Sequence, residues 1–306
     1  MRVPFRPVSL AAALLFHFRK VECSSAKELC DEGSRFIMAS SAAQPICLER
    51  VSTEFGANDL IYQAPIKKGS GLLVFFGGDV QDLEERMKMH GENKIYVQWS
   101  LERTARLLSR KFPSQHILVV RPAHLYVGTF SCFRNFVRSS DIGVPEFGVE
   151  SHALKHLRGL TEQAQELVGV DWDECPITLV AFSKGAVVLN QLLYELPDTD
   201  QTDFVARLRN WYWLDGGHAG GQNTWLTNHT LLQHFASLPK LKVCVHVTPY
   251  QISDPRRPWI GKEEKKFVSA LVKFGADVTE KAHFTSQERS IDYHFKLLEV
   301  FEPDKQ

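Results

Sequence analysis

From about residue 45 onward, two patterns of hydrophobic and polar positions alternate along this chain. Short unbroken apolar runs bounded by glycine, proline or charge give way to longer stretches whose apolar residues recur every three or four positions. The first pattern is that of strands buried on both faces, the second that of helices with one face turned inward. Residues 46–64 hold two candidate strands around Gly56-Ala57-Asn58-Asp59, which predicts a hairpin. Runs at 72–76, 116–120, 177–182, 211–214, 243–247 and 276–279 follow as strands. Helices are predicted over 100–111, from near Ser151 with Leu154, Leu157, Ala164 and Leu167 on one face, then over 184–196, 229–238, 262–274 and 291–301. This alternation predicts an α/β fold with a mostly parallel sheet covered on both faces and an antiparallel hairpin at one edge. Residues 122–149 have no period and carry Phe130, Phe133, Phe136 and Phe147. A loop of this length is usually functional, and a lid over a lipid or carbohydrate is one use for it.

Composition narrows the picture. The 306 residues are 44% hydrophobic and 24% charged, the profile of a globular chain able to bury one large core. We expect one domain over 45–303, since no repeat, low-complexity tract or linker divides it. The formal net charge of zero, with no basic stripe, argues against a nucleic-acid partner. No apolar run reaches the roughly 18 residues of a transmembrane helix. Cys23, Cys30, Cys47, Cys132, Cys175 and Cys244 form no C-x-x-C pair and no metal spacing with histidine, so neither a metal nor a cofactor is expected. Residues 1–25 differ in character: Arg2, Arg6, Arg19 and Lys20 flank an apolar stretch, and the first acidic residue is Glu22. A mitochondrial transit peptide fits this better than a secretory signal, because Arg19-Lys20 directly after the apolar stretch does not suit a small-residue cleavage site.

The most informative segment is Ile177-Thr178-Leu179-Val180-Ala181-Phe182-Ser183-Lys184-Gly185-Ala186. A buried strand runs into an apolar helix through a serine, with small residues two positions before and after it. That is the nucleophile elbow of α/β-hydrolases, in which a strained turn exposes the hydroxyl at a helix N-terminus. The bland alternative is a serine capping the helix. An oxyanion hole would be formed by the amide of Lys184 with that of Gly78 or Asp79, which follow the strand at 72–76. In such enzymes the acid and then the histidine follow the serine in the chain. His283, after the last strand, is the expected base; His218 and His294 are the other candidates, and a histidine inside the closing helix is more often merely packed. Asp254 is the expected acid and Asp215 the alternative, although Asp254-Pro255 also reads as a turn initiator.

At these residues the chain resembles a metazoan family named for human chromosome 2 open reading frame sixty-nine. The resemblance rests on Phe182-Ser183-Lys184-Gly185, on Tyr212-Trp213-Leu214-Asp215-Gly216-Gly217-His218, on His246-Val247-Thr248-Pro249-Tyr250-Gln251, and on His283-Phe284-Thr285 with His294-Phe295. It covers roughly residues 70–301 and implies a mitochondrial protein, in the matrix, with an α/β-hydrolase-like fold. The family elbow has Gly where this chain has Ala181. The expected function is a serine hydrolase acting on a small ester, thioester or related acyl substrate. The alternative is a non-catalytic binding or assembly protein on the same scaffold, with a protein partner and with Trp211, Trp213, Trp225 and Trp259 forming its surface.

Overall fold

The structure, a computed structural model, describes residues 44–304; the segment read as a presequence, with Cys23 and Cys30, lies outside them. The apolar runs assemble into one eight-stranded sheet. In chain order its strands are β1 (Ile46–Thr53), β2 (Gly56–Gln63), β3 (Gly71–Phe76), β4 (Gln115–Val120), β5 (Ile177–Phe182), β6 (Leu208–Leu214), β7 (Lys242–Val247) and β8 (Asp277–Ala282). Across the sheet they lie in the order β1-β2-β4-β3-β5-β6-β7-β8. The β1–β2 hairpin joins antiparallel to β4, and the remaining neighbours are parallel. This is an α/β-hydrolase fold. The longer connections are helices α1 (Leu101–Lys111), α2 (Ala153–Val168), α3 (Ala186–Glu195), α4 (His229–Ala236), α5 (Trp259–Lys273) and α6 (Ile291–Val300).

Side chains alternate across a strand, so each buried run feeds two separate cores. Leu73, Phe75, Ile117, Val119, Val180, Phe182 and Leu214 pack under α1 and α6 with Leu101, Leu108, Phe295 and Leu298. Leu72, Val74, Phe76, Leu179, Trp211 and Trp213 pack on the opposite face with Leu157, Leu189, Phe235 and Phe267. Trp211, Trp213 and Trp225 are fully buried there, and Trp211 and Trp213, two residues apart on β6, stack with ring centroids 5.8 Å apart. These tryptophans complete a core and do not present a surface. The reading of the Phe-rich segment 130–147 as a lid meets the same finding: Phe133 and Phe136 are buried edge-on against Phe76, at 5.9 and 5.3 Å. Two short ribbons, His124–Tyr126 with Phe130–Cys132 and Arg138–Ser139 with Pro145–Glu146, order the rest of that segment.

Departures from the sequence pattern are small. Leu167 is 61% exposed because Val168 takes the inward position at the end of α2. Strand β8 runs on to Ala282: as an edge strand with only intermediate burial at best, it lacks the apolar run that marks the central strands.

One buried ionisable contact ties α5 to the sheet edge. Glu264 is almost fully buried, and its Oε1 has no hydrogen-bond partner among the described residues. Burial, and then the neighbouring carboxylate of Glu280, raise its pKa from 4.5 to about 7. The folded protein therefore keeps a proton that the unfolded chain releases near 4.5, so this contribution to stability is complete below that pH and is lost as pH rises toward 7. In thermal melts between about pH 5 and 8, wild type should lose stability relative to Glu264→Gln as pH rises across this window. The difference reads as roughly 2–4 °C of melting temperature per kcal/mol in a chain of this size. Equal slopes in the two proteins would contradict the assignment.

Candidate active site

Parallel register brings the carboxyl ends of three strands together. Phe76 of β3 lies opposite Ala181 of β5, and Leu214 of β6 lies opposite Phe182. The next residues, Gly77-Gly78-Asp79, Ser183 and Asp215, therefore meet at one edge. The backbone there is bent far from ordinary values: Ser183 has φ 52°, Asp215 49° and Val80 63°. Positive φ is uncommon for any non-glycine residue, and for a β-branched one it is an outlier. Two glycines permit the turn. A Cβ on Gly185 would lie 2.1 Å from the Phe76 carbonyl oxygen, and one on Gly78 would lie 2.8 Å from Ser183 Cβ. The Gly217 amide donates to the Ser183 carbonyl at 3.1 Å, joining the two turns. Ser183 is 8% exposed, and its Oγ makes no hydrogen bond among the described residues.

The structure pairs a different histidine and a different carboxylate than the sequence reading favoured. His294, in the first turns of α6, donates from Nδ1 to Asp215 Oδ2 at 2.6 Å. Asp215 also accepts from the Thr248 amide at 2.8 Å and from the Thr248 hydroxyl at 2.6 Å. Thr248 fills this fully buried carboxylate with donors, so it accepts from the N–H at Nδ1 and leaves Nε2 as the ring nitrogen without a partner among the described residues. The imidazole is clamped between Phe182, with centroids 4.5 Å apart, and Tyr250, at 4.6 Å. Phe182 is the residue before Ser183. No hydrogen bond joins Ser183 Oγ to His294 among the described residues; such contacts are often loose without a ligand.

His283 is placed elsewhere. It follows β8, three strands from β5, a lateral distance of roughly 14 Å at about 4.8 Å per strand. Its amide donates to the Val247 carbonyl at 2.8 Å, and its Nε2 lies 2.9 Å from Nδ1 of His246. Burial pushes the His246 pKa down to about 4, with His283 adding to the effect, and burial lowers that of His283 as well. His218 is also committed: it accepts from the Gly220 amide at 2.9 Å and contacts the Asn223 carbonyl at 3.1 Å, and burial pushes its pKa down to about 4. Asp254 meets neither ring. The short helix Pro249–Ile252 carries the chain away from the strand end, and Asp254 Oδ2 accepts from Arg257 and Arg289, both at 2.9 Å.

The oxyanion candidates separate too. The Gly78 amide is taken by Gln81 Oε1 at 2.8 Å, which removes it as a donor. The Asp79 amide has no acceptor among the described residues, and the Lys184 amide opens a helical segment, where the first N–H groups have no internal partner. The Lys184 side chain does not lie in solvent. It is 1% exposed and donates from Nζ to the Ile142 carbonyl at 3.0 Å, with Asp79 Oδ1 at 4.0 Å. Burial raises the Asp79 pKa, opposed by Lys184, the Ser131 amide, His294 and Arg257. Thr248, Tyr250 and Gln81 escaped the sequence reading. The strand register could have pointed to Asp215, since the residue after Leu214 must lie beside the residue after Phe182.

The C2orf69 family model matches residues 51–174 and 161–277 of the chain. A zebrafish (Danio rerio) protein named mitochondrial protein C2orf69 homolog is 38% identical over 255 residues, covering 77% of this chain and 74% of its own. The human mitochondrial protein C2orf69 is 36% identical over 284 residues, covering 75% and 74%. Among solved structures, a Bacillus cereus carboxylesterase is similar with TM-score 0.45 and 15% identity, over 79% of this chain and 92% of that one.

The close approach at Gly185 is directly testable. Gly185→Ala forces a methyl group into the Phe76 backbone and should destabilise the protein by roughly 1–3 kcal/mol or more. Gly221→Ala, whose Cβ would meet nothing within 4 Å, serves as the control. Similar melting temperatures for the two variants would contradict the packing described.

Proposed function

The chain belongs to the C2orf69 family, and on its α/β-hydrolase fold we propose that it is a serine hydrolase of esters or thioesters in which Ser183 is the nucleophile, His294 the base and Asp215 the acid. The 2.6 Å contact between His294 Nδ1 and Asp215, beside a strained serine with an unbonded hydroxyl, carries this reading. Ser183 Oγ attacks the acyl carbonyl carbon while its proton passes to His294 Nε2. The Asp79 and Lys184 amides face the developing oxyanion. Collapse returns that proton to the leaving oxygen or sulfur and leaves an acyl-serine. Water then attacks this ester, giving its proton to His294, and Ser183 departs with it. Asp215 holds the tautomer throughout and stabilises the imidazolium that forms twice.

The names of the zebrafish and human relatives support placing this activity in mitochondria, with residues 1–25 as the presequence. The non-catalytic reading also has an observation behind it, the missing hydrogen bond between Ser183 Oγ and His294.

Hydrolysis of a short 4-nitrophenyl ester separates the two. Ser183→Ala and His294→Ala should each lower kcat/KM by several orders of magnitude, and Asp215→Asn by up to about 10⁴-fold, because it leaves the wrong tautomer. His283→Ala and Asp254→Asn should fall far less. A loss in His283→Ala equal to that in His294→Ala would overturn the assignment, and a wild type with no turnover would favour the scaffold.

A further inference from the structure

Beside His294 the rim of the site carries an arrangement that the triad chemistry does not use. Asp254 Oδ2 accepts from Arg257 Nε and from Arg289 Nη2, each at 2.9 Å, while Asp254 Oδ1 accepts the Arg256 amide at 2.9 Å. Burial alone would raise the Asp254 pKa, but the two guanidinium groups and the Arg256 amide hold it below the usual carboxylate range. One carboxylate thus gathers two cations and leaves the group net positive. Their side chains are 25% and 36% exposed, and both Nη atoms of Arg257 and Nη1 of Arg289 make no hydrogen bond among the described residues.

Tyr250 links the cluster to His294. The Arg289 guanidinium lies 4.6 Å from the Tyr250 ring centroid, and Tyr250 packs on His294 with ring centroids 4.6 Å apart and planes tilted by 32°. Arg289 Nε also donates to the Tyr250 carbonyl at 2.9 Å, a second tie to the same residue. Arg257 weakly opposes the rise of the Asp79 pKa and adds to the fall of the His218 pKa, after burial in each case. A second polar group is idle close by. Gln251 is 3% exposed, its Oε1 has no partner, and its amide packs directly on Gly217, the residue that donates to the Ser183 carbonyl. Its oxygen and nitrogen can exchange places by rotation, so either can face a ligand.

We propose that Arg257 and Arg289, gathered by Asp254 beside His294, recognise an oxyanion on the substrate, so that the molecule hydrolysed is an acyl ester or thioester bearing a carboxylate or phosphate. This deepens the hydrolase reading and rests on it for the reaction, while the anion site itself can be tested without turnover. A guanidinium fork matches a planar carboxylate or a phosphate edge, and its free donors make charge-assisted bonds of the stronger kind. Half-exposed arginines also attract an anion in a salt-dependent way.

The experiment compares mono-4-nitrophenyl glutarate with its neutral methyl ester in wild type, Arg257→Gln and Arg257→Lys. Wild type should prefer the anionic ester in kcat/KM. Arg257→Gln should cut that preference roughly 10- to 100-fold, mainly through KM, and Arg257→Lys should restore part of it. Calorimetry with glutarate and with pyrophosphate gives a readout free of catalysis and distinguishes a carboxylate from a phosphate site: binding to Ser183→Ala should weaken with salt and disappear when Arg257→Gln is added. Turnover of both esters with no anionic preference would overturn the anion site and leave the hydrolase standing. No turnover of either ester, with anion binding that depends on Arg257, would remove the hydrolase reading and keep the site. Absence of binding by both anions overturns the site in either case.

Discussion

Everything at the carboxyl edge of the sheet depends on one steric constraint, the contact of Gly185 with the end of β3. The chain leaves β5, turns through φ 52° at Ser183 and enters its helix so tightly that position 185 lies on the Phe76 carbonyl. Only a residue without a Cβ fits. Gly78 meets the Ser183 side chain under the same constraint from the opposite strand. These two approaches hold the Ser183 turn tightly against the end of β3. They also set Ser183 against the turn after β6, where the Gly217 amide holds its carbonyl. A strained serine persists there because buried strands on both sides over-determine its position.

Choosing between two buried histidines is a matter of what each ring touches. A base must become positively charged during the reaction, so its environment has to favour imidazolium. His294 shares its Nδ1 proton with a buried carboxylate that Thr248 holds in place. His283 shares a nitrogen with another imidazole, His246, and burial opposes charge on both. Two neighbouring imidazoles cannot both be charged without repulsion, and no carboxylate bonds to either of them among the described residues. The His283–His246 pair therefore ties β8 to β7, while the His294–Asp215 pair is the one that the proposed proton transfer uses.

Much of this could be read in the chain before its structure. The strand–helix alternation marks the central strands of the sheet, because runs such as Leu72 to Phe76 are buried on both faces and have no polar side to blur them. The elbow is legible because its demands are local: Ala181, Ser183 and Gly185 are neighbours in sequence as well as in space. Its partners are not local. Position along the chain favoured His283 and Asp254, each near a strand end, but proximity to a strand end says nothing about which strands are adjacent. Register does: Leu214 beside Phe182 places Asp215 next to Ser183. His294 was obscured because a helix conceals which residue its first turns swing back over the sheet. Phe133, Phe136 and the tryptophans misled in the other direction, since an aperiodic aromatic segment can fill a core as readily as it can form a surface.

The central claim is that the hydroxyl of Ser183 is an activated nucleophile. Its most direct test is to treat the folded protein with a fluorophosphonate and map the adduct by peptide mass. Attack by Ser183 Oγ on phosphorus would expel fluoride and form a stable phosphonyl ester, with the proton passing to His294. The account predicts a single adduct on the peptide that contains Ser183. Folded protein that stays unmodified at high reagent concentration, or that carries the adduct on another residue, would contradict it.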